Sequence, residues 1–260
     1  MYDTHISDKQ FRSLVKIVHQ VSGISLNESK RNLLKARIAK RLRATRINSI
    51  SIYLDLIEHD KEEFNNFIDG ITTNHTYFFR ENKHCEYLVK HLDRSRHVKI
   101  WSAASSSGEE AYSIAVQLIE NRFQFDIFAS DISDTMLEAA KRGVYPVDRT
   151  RSVPMPILHK YFQKGINYSA DKVKIKDEVK ARIRFGKYNL VTGTPPKAEY
   201  DVIFCRNVMI YFDLPTKQKV INDMYTALKP NGYFIFGQSE SIVGIQSPLK
   251  TISPSIYQKR

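Results

Sequence analysis

The chain has 260 residues, 42% of them hydrophobic, with 40 Lys plus Arg against 28 Asp plus Glu for a net charge of +12. That length builds one large domain, or a small domain beside a medium one. No apolar run approaches a bilayer span, no charged-then-apolar leader opens the sequence, and Cys85 and Cys205 stand far apart outside any Cys-x-x-Cys pattern. A membrane span, a secretory signal and a disulfide or zinc framework are therefore not expected, and a cytoplasmic location is. The positive field attracts acidic partners of any kind without choosing among them.

The first seventy-odd residues read as helices only. Ser7 and Gln10 form a capping-box pattern ahead of Phe11, Leu14, Val15 and Val18, and Gly23 is a plausible stop. A second helix is expected over 27–45, with Leu34, Ile38 and Leu42 as its apolar stripe. Its other faces carry Lys30, Arg31, Lys35, Arg37, Lys40, Arg41, Arg43 and Arg46, uninterrupted by acid. Helical patterns at 52–58 and 63–71 complete a small bundle. The expected organisation is a helical domain over 1–72, a linker and start of the second domain over 73–97, and an α/β domain over 98–260.

From Val98 onward strand and helix patterns alternate, which argues for a mostly parallel sheet. The expected strands are 98–104, 125–131, 183–188, 200–205 and 232–237, the last preceded by a turn at Lys229-Pro-Asn-Gly232. A final hairpin falls at 249–252 and 255–258. The stretch 145–181 is too long for a simple connection, and its Lys172-Val-Lys-Ile-Lys176 alternation predicts a small β subdomain inserted between the second and third strands.

The first strand runs into Ser105-Ser-Ser-Gly-Glu-Glu110, where small residues and a helix start make the entrance of a nucleotide-type pocket. Glu109 and Glu110 would repel a phosphate. They suit S-adenosylmethionine, which has an ammonium, a sulfonium and a ribose. Asp131 ends the second strand at the spacing of a ribose-binding carboxylate. The loop lacks the Gly-x-Gly-x-x-Gly fingerprint of a dinucleotide site. His75, His84 and Cys85 are an incomplete metal set, and no metal is expected.

Two longer motifs are more specific. These are Thr72-Thr-Asn-His-Thr-Tyr-Phe-Phe-Arg-Glu81 and Asp201-Val-Ile-Phe-Cys-Arg-Asn-Val-Met-Ile-Tyr-Phe-Asp213. With 101–113 and Gly237-Gln-Ser-Glu240, they closely resemble the chemotaxis receptor methyltransferases of the CheR type, in order from about Ser7 to the C-terminus. The resemblance implies a Rossmann-like S-adenosylmethionine-dependent sheet with an N-terminal all-helical domain and a small inserted β subdomain. The implied activity is protein-glutamate O-methylation of chemotaxis receptors, with S-adenosylhomocysteine as product. The implied cofactor-binding residues are Asn74, Thr76, Arg80, Glu110, Asp131, Asn189, Leu190, Arg206 and Asn207.

Arg80 and Tyr211 are the candidates for holding the substrate carboxylate. Lys35, Arg37, Lys40 and Arg41 on the basic helix are the candidates for docking the receptor's acidic coiled coil. A monomer that meets membranes only through receptors is expected. Ser105, Ser107 and Ala111 depart from commoner family residues without touching an implied ligand. A nucleic-acid methyltransferase would suit the charge. Amino-methylating members carry an Asp/Asn-Pro-Pro-aromatic motif after the fourth strand, where this chain has Arg206-Asn-Val-Met209, and Thr194-Pro-Pro-Lys197 lies before that strand. Intact Asn74, Arg80, Asp131 and Tyr211 speak against a binding module that has lost catalysis.

Overall fold

A computed structural model describes residues 6–72 and 74–260. The expectations that rest on Met1–His5 and on Thr73, namely the opening of the chain and the 72/73 boundary, lie outside the described residues. The chain divides into two compact units, residues 1–73 with 211–213, and residues 74–210 with 214–260.

The helical unit holds α1 (Asp8–Ser22), α2 (Arg31–Thr45), α3 (Ile50–His59) and α4 (Lys61–Ile71). The capping box at Ser7 forms as read, with Gln10 N donating to Ser7 Oγ and Ser7 N to Gln10 Oε1. Gly23 ends α1 in the left-handed conformation at φ 70°, which a side chain would disfavour. The second helix starts later than expected. Residues 28–30 form a tight 3-10 turn, and Asn27 makes no side-chain cap there. Asp60 closes α3 and caps α4, accepting from the amides of Glu62 and Glu63. Phe11, Leu14, Leu34, Ile38, Leu42, Tyr53 and Phe67 fill the core. Residues 211–213 pack with these helices, where Ser25 N donates to Tyr211 O at 2.8 Å and His19 pairs with Asp213 at 2.9 Å.

The second unit starts with α5 (Lys83–His91), which the sequence reading did not anticipate. Phe78, Cys85 and Leu88 join the main hydrophobic cluster, so this stretch is core of the α/β unit. There follow β1 (His97–Ala103), α6 (Glu109–Glu120), β2 (Gln124–Asp131), α7 (Asp134–Arg142) and β3 (Val144–Pro146). Next come α8 (Met155–Tyr161), β4 (Phe162–Lys164), β5 (Lys172–Ile175), α9 (Asp177–Lys180) and β6 (Ile183–Lys187). The chain closes with β7 (Tyr200–Cys205), α10 (Leu214–Ala227), β8 (Leu228–Ile235), β9 (Lys250–Ser253) and β10 (Ile256–Gln258).

Seven strands form one sheet in the order β6-β2-β1-β7-β8-β10-β9. The first five are parallel, and the β9–β10 hairpin adds antiparallel strands at one edge. β1 and β2 are exposed at their starts and buried toward their carboxyl ends, as parallel strands covered on both faces are. β8 begins at Leu228, earlier than expected, because the turn through Asn231 (φ 63°) is a bulge within the strand; pairing jumps from Tyr200↔Leu228 to Val202↔Tyr233.

Between β2 and β6 the insert forms its own antiparallel sheet, β3-β5-β4. It folds back on its own start, where Ile175 N donates to Gly143 O at 2.9 Å and Lys180 Nζ to Arg142 O at 3.3 Å. At its tip Ile166 and Tyr168 are exposed.

Candidate active site

Strand order reverses between β1, which continues toward β2, and β7, and the crevice beyond the carboxyl ends of such strands is where open α/β sheets take ligands. Asp131, Asn189, Arg206 and Glu240 all lie at or just past strand ends on that rim. The loop from β1 to α6 is unusual in its backbone. Ala104 (φ 59°) and Ser106 (φ 50°) adopt left-handed conformations without being glycine, and Gly108 has φ 93°. Each such non-glycine residue costs roughly 1–2 kcal/mol and persists only where the surroundings impose it. Those surroundings are visible. Ser105 N donates to Ser130 O at 2.9 Å, and Ser106 N donates to Asp131 Oδ2 at 2.8 Å. Gly108 is tight as well as left-handed, for a Cβ there would stand 2.9 Å from that of Ala140.

Asp131 is 6% exposed, and Ser133 N donates to its other oxygen at 3.0 Å. Glu110 opens α6. It accepts from Ser102 Oγ at 2.7 Å and from Arg206 Nη1 at 3.0 Å. Burial pushes its carboxyl above the ordinary range, against the pull of Arg206 and Ser102.

Arg206 is the hub behind it, with a side chain 3% exposed. Its Nη2 donates to Glu81 at 2.9 Å and to Arg80 O at 2.7 Å, while Nε is buried without a partner among the described residues. The guanidinium is thus committed to two carboxylates and a carbonyl. What it can do for the site is hold Glu110 and the Arg80–Glu81 backbone in place. Glu81 also accepts from Asn207 Nδ2 and Gln238 N. Burial raises its pKa, but Arg206 and these donors outweigh it and leave the carboxyl below its usual value. Glu81 and Phe79 both have positive φ.

Asn207 is left-handed too (φ 59°), and its amide donates to Glu240 Oε2 at 2.7 Å. Glu240 also takes the amides of Met209 and Gly237, each at 2.7 Å. It is a buried carboxylate held by three backbone donors, and it fixes the turn after β7.

The remaining expected residues are placed as follows. Arg80 donates Nη1 to His75 O at 3.0 Å, lies 3.8 Å from Glu81, and keeps its side chain 26% exposed. Thr76 is buried, and Asn74 O accepts from Ser106 Oγ, so this segment runs beside the loop. Asn189 Oδ1 accepts from the amides of Val191 and Thr192, and Leu190 is buried. Tyr211 is half-buried in the helical unit.

Of the docking candidates, Lys40 is exposed and Lys35 and Arg37 are partly so. Arg41 differs. Its Nε donates to Glu63 Oε1 at 2.9 Å and its Nη2 to Glu63 Oε2, while Tyr53 OH donates to the same carboxylate at 2.6 Å. Glu63 is buried, so Arg41 is an internal ion pair of the helical unit and is withdrawn from the docking set.

The donor set fits S-adenosylmethionine. Two acids at the loop suit an ammonium and ribose hydroxyls, and the buried Ser105 Oγ has no partner among the described residues. Glu81, Glu240 and the Glu109–Arg149 contact were missed by the sequence reading. Glu81 and Glu240 stood inside quoted motifs, but nothing local signalled partners more than thirty residues away.

Residues 74–257 match the family model described as CheR methyltransferase, SAM binding domain, and residues 9–72 match CheR methyltransferase, all-alpha domain. The chain is 37% identical to Chemotaxis protein methyltransferase 2 of Pseudomonas aeruginosa, covering 97% of this chain and 94% of that protein. It is 36% identical to the Chemotaxis protein methyltransferase of Borreliella burgdorferi (98% and 95% covered) and 34% identical to that of Escherichia coli (97% and 91%). Near-full-length similarity and a strained, acid-lined loop on the ligand rim of the sheet lead to one conclusion: the chain belongs to the CheR family of S-adenosylmethionine-dependent methyltransferases.

Proposed function

We propose that the chain transfers the methyl group of S-adenosylmethionine to side-chain carboxylates of specific glutamates on chemotaxis receptors, giving glutamate methyl esters and S-adenosylhomocysteine in sensory adaptation. The observation that carries this reading is the placing of Glu110 and Asp131 about a left-handed loop at the carboxyl ends of β1 and β2. In this reading Asn74, Thr76, Arg80, Glu110, Asp131, Asn189, Leu190 and Asn207 hold the cofactor, and Arg206 acts through Glu110. Bound S-adenosylmethionine supplies a methyl group on a positively charged sulfur, open to in-line attack by an oxygen.

A glutamate with a pKa near ~4.3 is ionised at neutral pH, so the protein needs no general base. Its work is to orient the carboxylate and exclude water. Arg80 suits that role, because a guanidinium offers planar paired donors matched to a carboxylate, and most of its donors have no partner among the described residues. The buried ion pairs of Arg206 hold Glu110 in one rotamer, which keeps an anion in place for the cofactor's ammonium.

Lys35, Arg37 and Lys40 on α2 dock an acidic coiled coil of the receptor and steer its approach. The protein works as a monomer in the cytoplasm and meets the membrane only through the receptor. The test is methyl transfer from labelled S-adenosylmethionine to receptor-containing membranes beside an oligonucleotide. Base-labile label on the receptor, lost when its acceptor glutamates are changed to glutamine, is the expected result. Label on the oligonucleotide alone would overturn the assignment.

A further inference from the structure

The inserted subdomain touches both walls of the β1–α6 loop, and it does so through three side chains within its first nine residues. Tyr145 OH donates to Ser107 O at 2.6 Å. Arg149 Nη1 donates to Thr76 O at 2.7 Å and lies 3.4 Å from Glu109 Oε1. Ser152 Oγ donates to Phe78 O at 2.6 Å. One wall is the segment of Thr76 and Phe78, which leads directly to the left-handed Phe79 and Glu81. The other is the turn through Ser107 and Gly108 into α6.

Both walls run in turns and irregular backbone in this stretch. Carbonyls of irregular backbone need donors when they are not left to water, and here the insert provides them. Glu109 is 1% exposed, and its other oxygen accepts from Ser107 Oγ at 2.6 Å. Arg149 therefore bridges a carbonyl of one wall and a buried carboxylate of the other. It does this from the surface, with a side chain 41% exposed.

We propose that Tyr145, Arg149 and Ser152 are positioning residues for the cofactor site, and that the insert thereby sets the separation of the two walls that receive S-adenosylmethionine. The proposal rests on reading this loop as the cofactor site. Arg149 carries most of the effect, because it alone of the three touches both walls and does so with a charged donor, whereas the direct Ser106 Oγ–Asn74 O contact is neutral and 3.3 Å long.

The test uses the full chain with Arg149→Ala, Arg149→Lys and Ser152→Ala, and Lys176→Ala as a control. Lys176 anchors the insert internally, with Nζ donating to Lys160 O at 2.6 Å, and touches neither wall. Two quantities are read: amide exchange of residues 76–80 without cofactor, and S-adenosylhomocysteine affinity by calorimetry. In Arg149→Ala, exchange at 76–80 should accelerate while α5 stays protected. Affinity should fall about tenfold, the size expected for one lost charge-assisted hydrogen bond. Arg149→Lys should recover part of both, and Lys176→Ala should change neither.

Unchanged exchange at 76–80 in Arg149→Ala together with affinity within twofold would overturn the proposal. Should Arg149→Ala fail to fold, Ser152→Ala, which removes a single hydroxyl, decides by the same two readouts. If the unaltered protein takes up no S-adenosylhomocysteine, the functional reading falls, and the exchange measurement still judges the coupling of insert to loop.

Discussion

Two buried arginine–glutamate clusters, one in each unit, are built to different standards. In the helical unit Arg41 meets Glu63 through two parallel hydrogen bonds and Tyr53 completes the carboxylate. In the α/β unit Arg206 lies between Glu81 and Glu110, keeps a buried Nε without a partner among the described residues, and neighbours the left-handed Phe79, Glu81 and Asn207. The closed cluster spans α2, α3 and α4 and holds a fold together. The open one leaves a polar valence unfilled and the backbone strained, as happens where geometry serves a ligand before it serves stability.

That contrast can be broken by mutation. Arg206→Met strands two largely buried carboxylates, 13% and 14% exposed, and should cost about 3–5 kcal/mol in denaturant unfolding. It should also weaken S-adenosylhomocysteine binding more than tenfold; retained affinity would place the cluster outside the site. Glu63→Ala should cost about 3 kcal/mol, because Arg41 keeps some access to water, with cofactor affinity within twofold. Equal losses of affinity in the two variants would erase the distinction.

Arg80 sharpens the comparison, since it is held loosely and stands on the open side. Arg80→Ala should lower turnover on the order of 10²-fold, the scale of a misplaced reactant, with unfolding free energy nearly unchanged. Near-normal methyl transfer would remove it from the mechanism.

His84 gives the open cluster a pH signature. Burial, then the charge of Arg206, push the imidazole down to about 4, and Glu81 opposes only in part. The unfolded chain binds this proton near ~6.5 and the folded chain does not, so stability falls as pH drops from that value toward 4. The contribution is about 2 kcal/mol, and His84→Gln should flatten this limb of a stability–pH curve. An identical slope in the variant would show that His84 does not titrate there.

The smallest effect belongs to α2. Reversing charge at Arg37 and Lys40 should raise the receptor Michaelis constant several-fold in a salt-dependent way. Stability should move by less than about 0.5 kcal/mol. Unchanged kinetics would refute docking through this face.

Local signals were legible in the sequence. The Ser7–Gln10 box spans four residues, the apolar stripe of α2 repeats every turn, and β1 and β2 are apolar-rich runs ended by a small and an acidic residue. The insert was legible as excess length plus one alternating strand. What escaped was set by distant partners. Arg41 looks like its free neighbours on the helix until Glu63, 22 positions away, claims it. Arg206 meets Glu81 across 125 positions. The early start of β8 follows from pairing with Tyr200, which no window around Leu228 contains.

The closed base of the insert, where Gly143 and Ile175 share a hydrogen bond, has a consequence for how such enzymes diversify. A loop whose ends already touch can be lengthened, trimmed or exchanged at small entropic cost and without shifting the strands on either side. Tyr145, Arg149 and Ser152 in the opening nine residues fasten to the β1–α6 loop and the segment of Thr76 and Phe78, while the distal hairpin bears the exposed Ile166 and Tyr168. Lineages are therefore free to redraw that hairpin for new recognition while the chemistry beneath it stays constant.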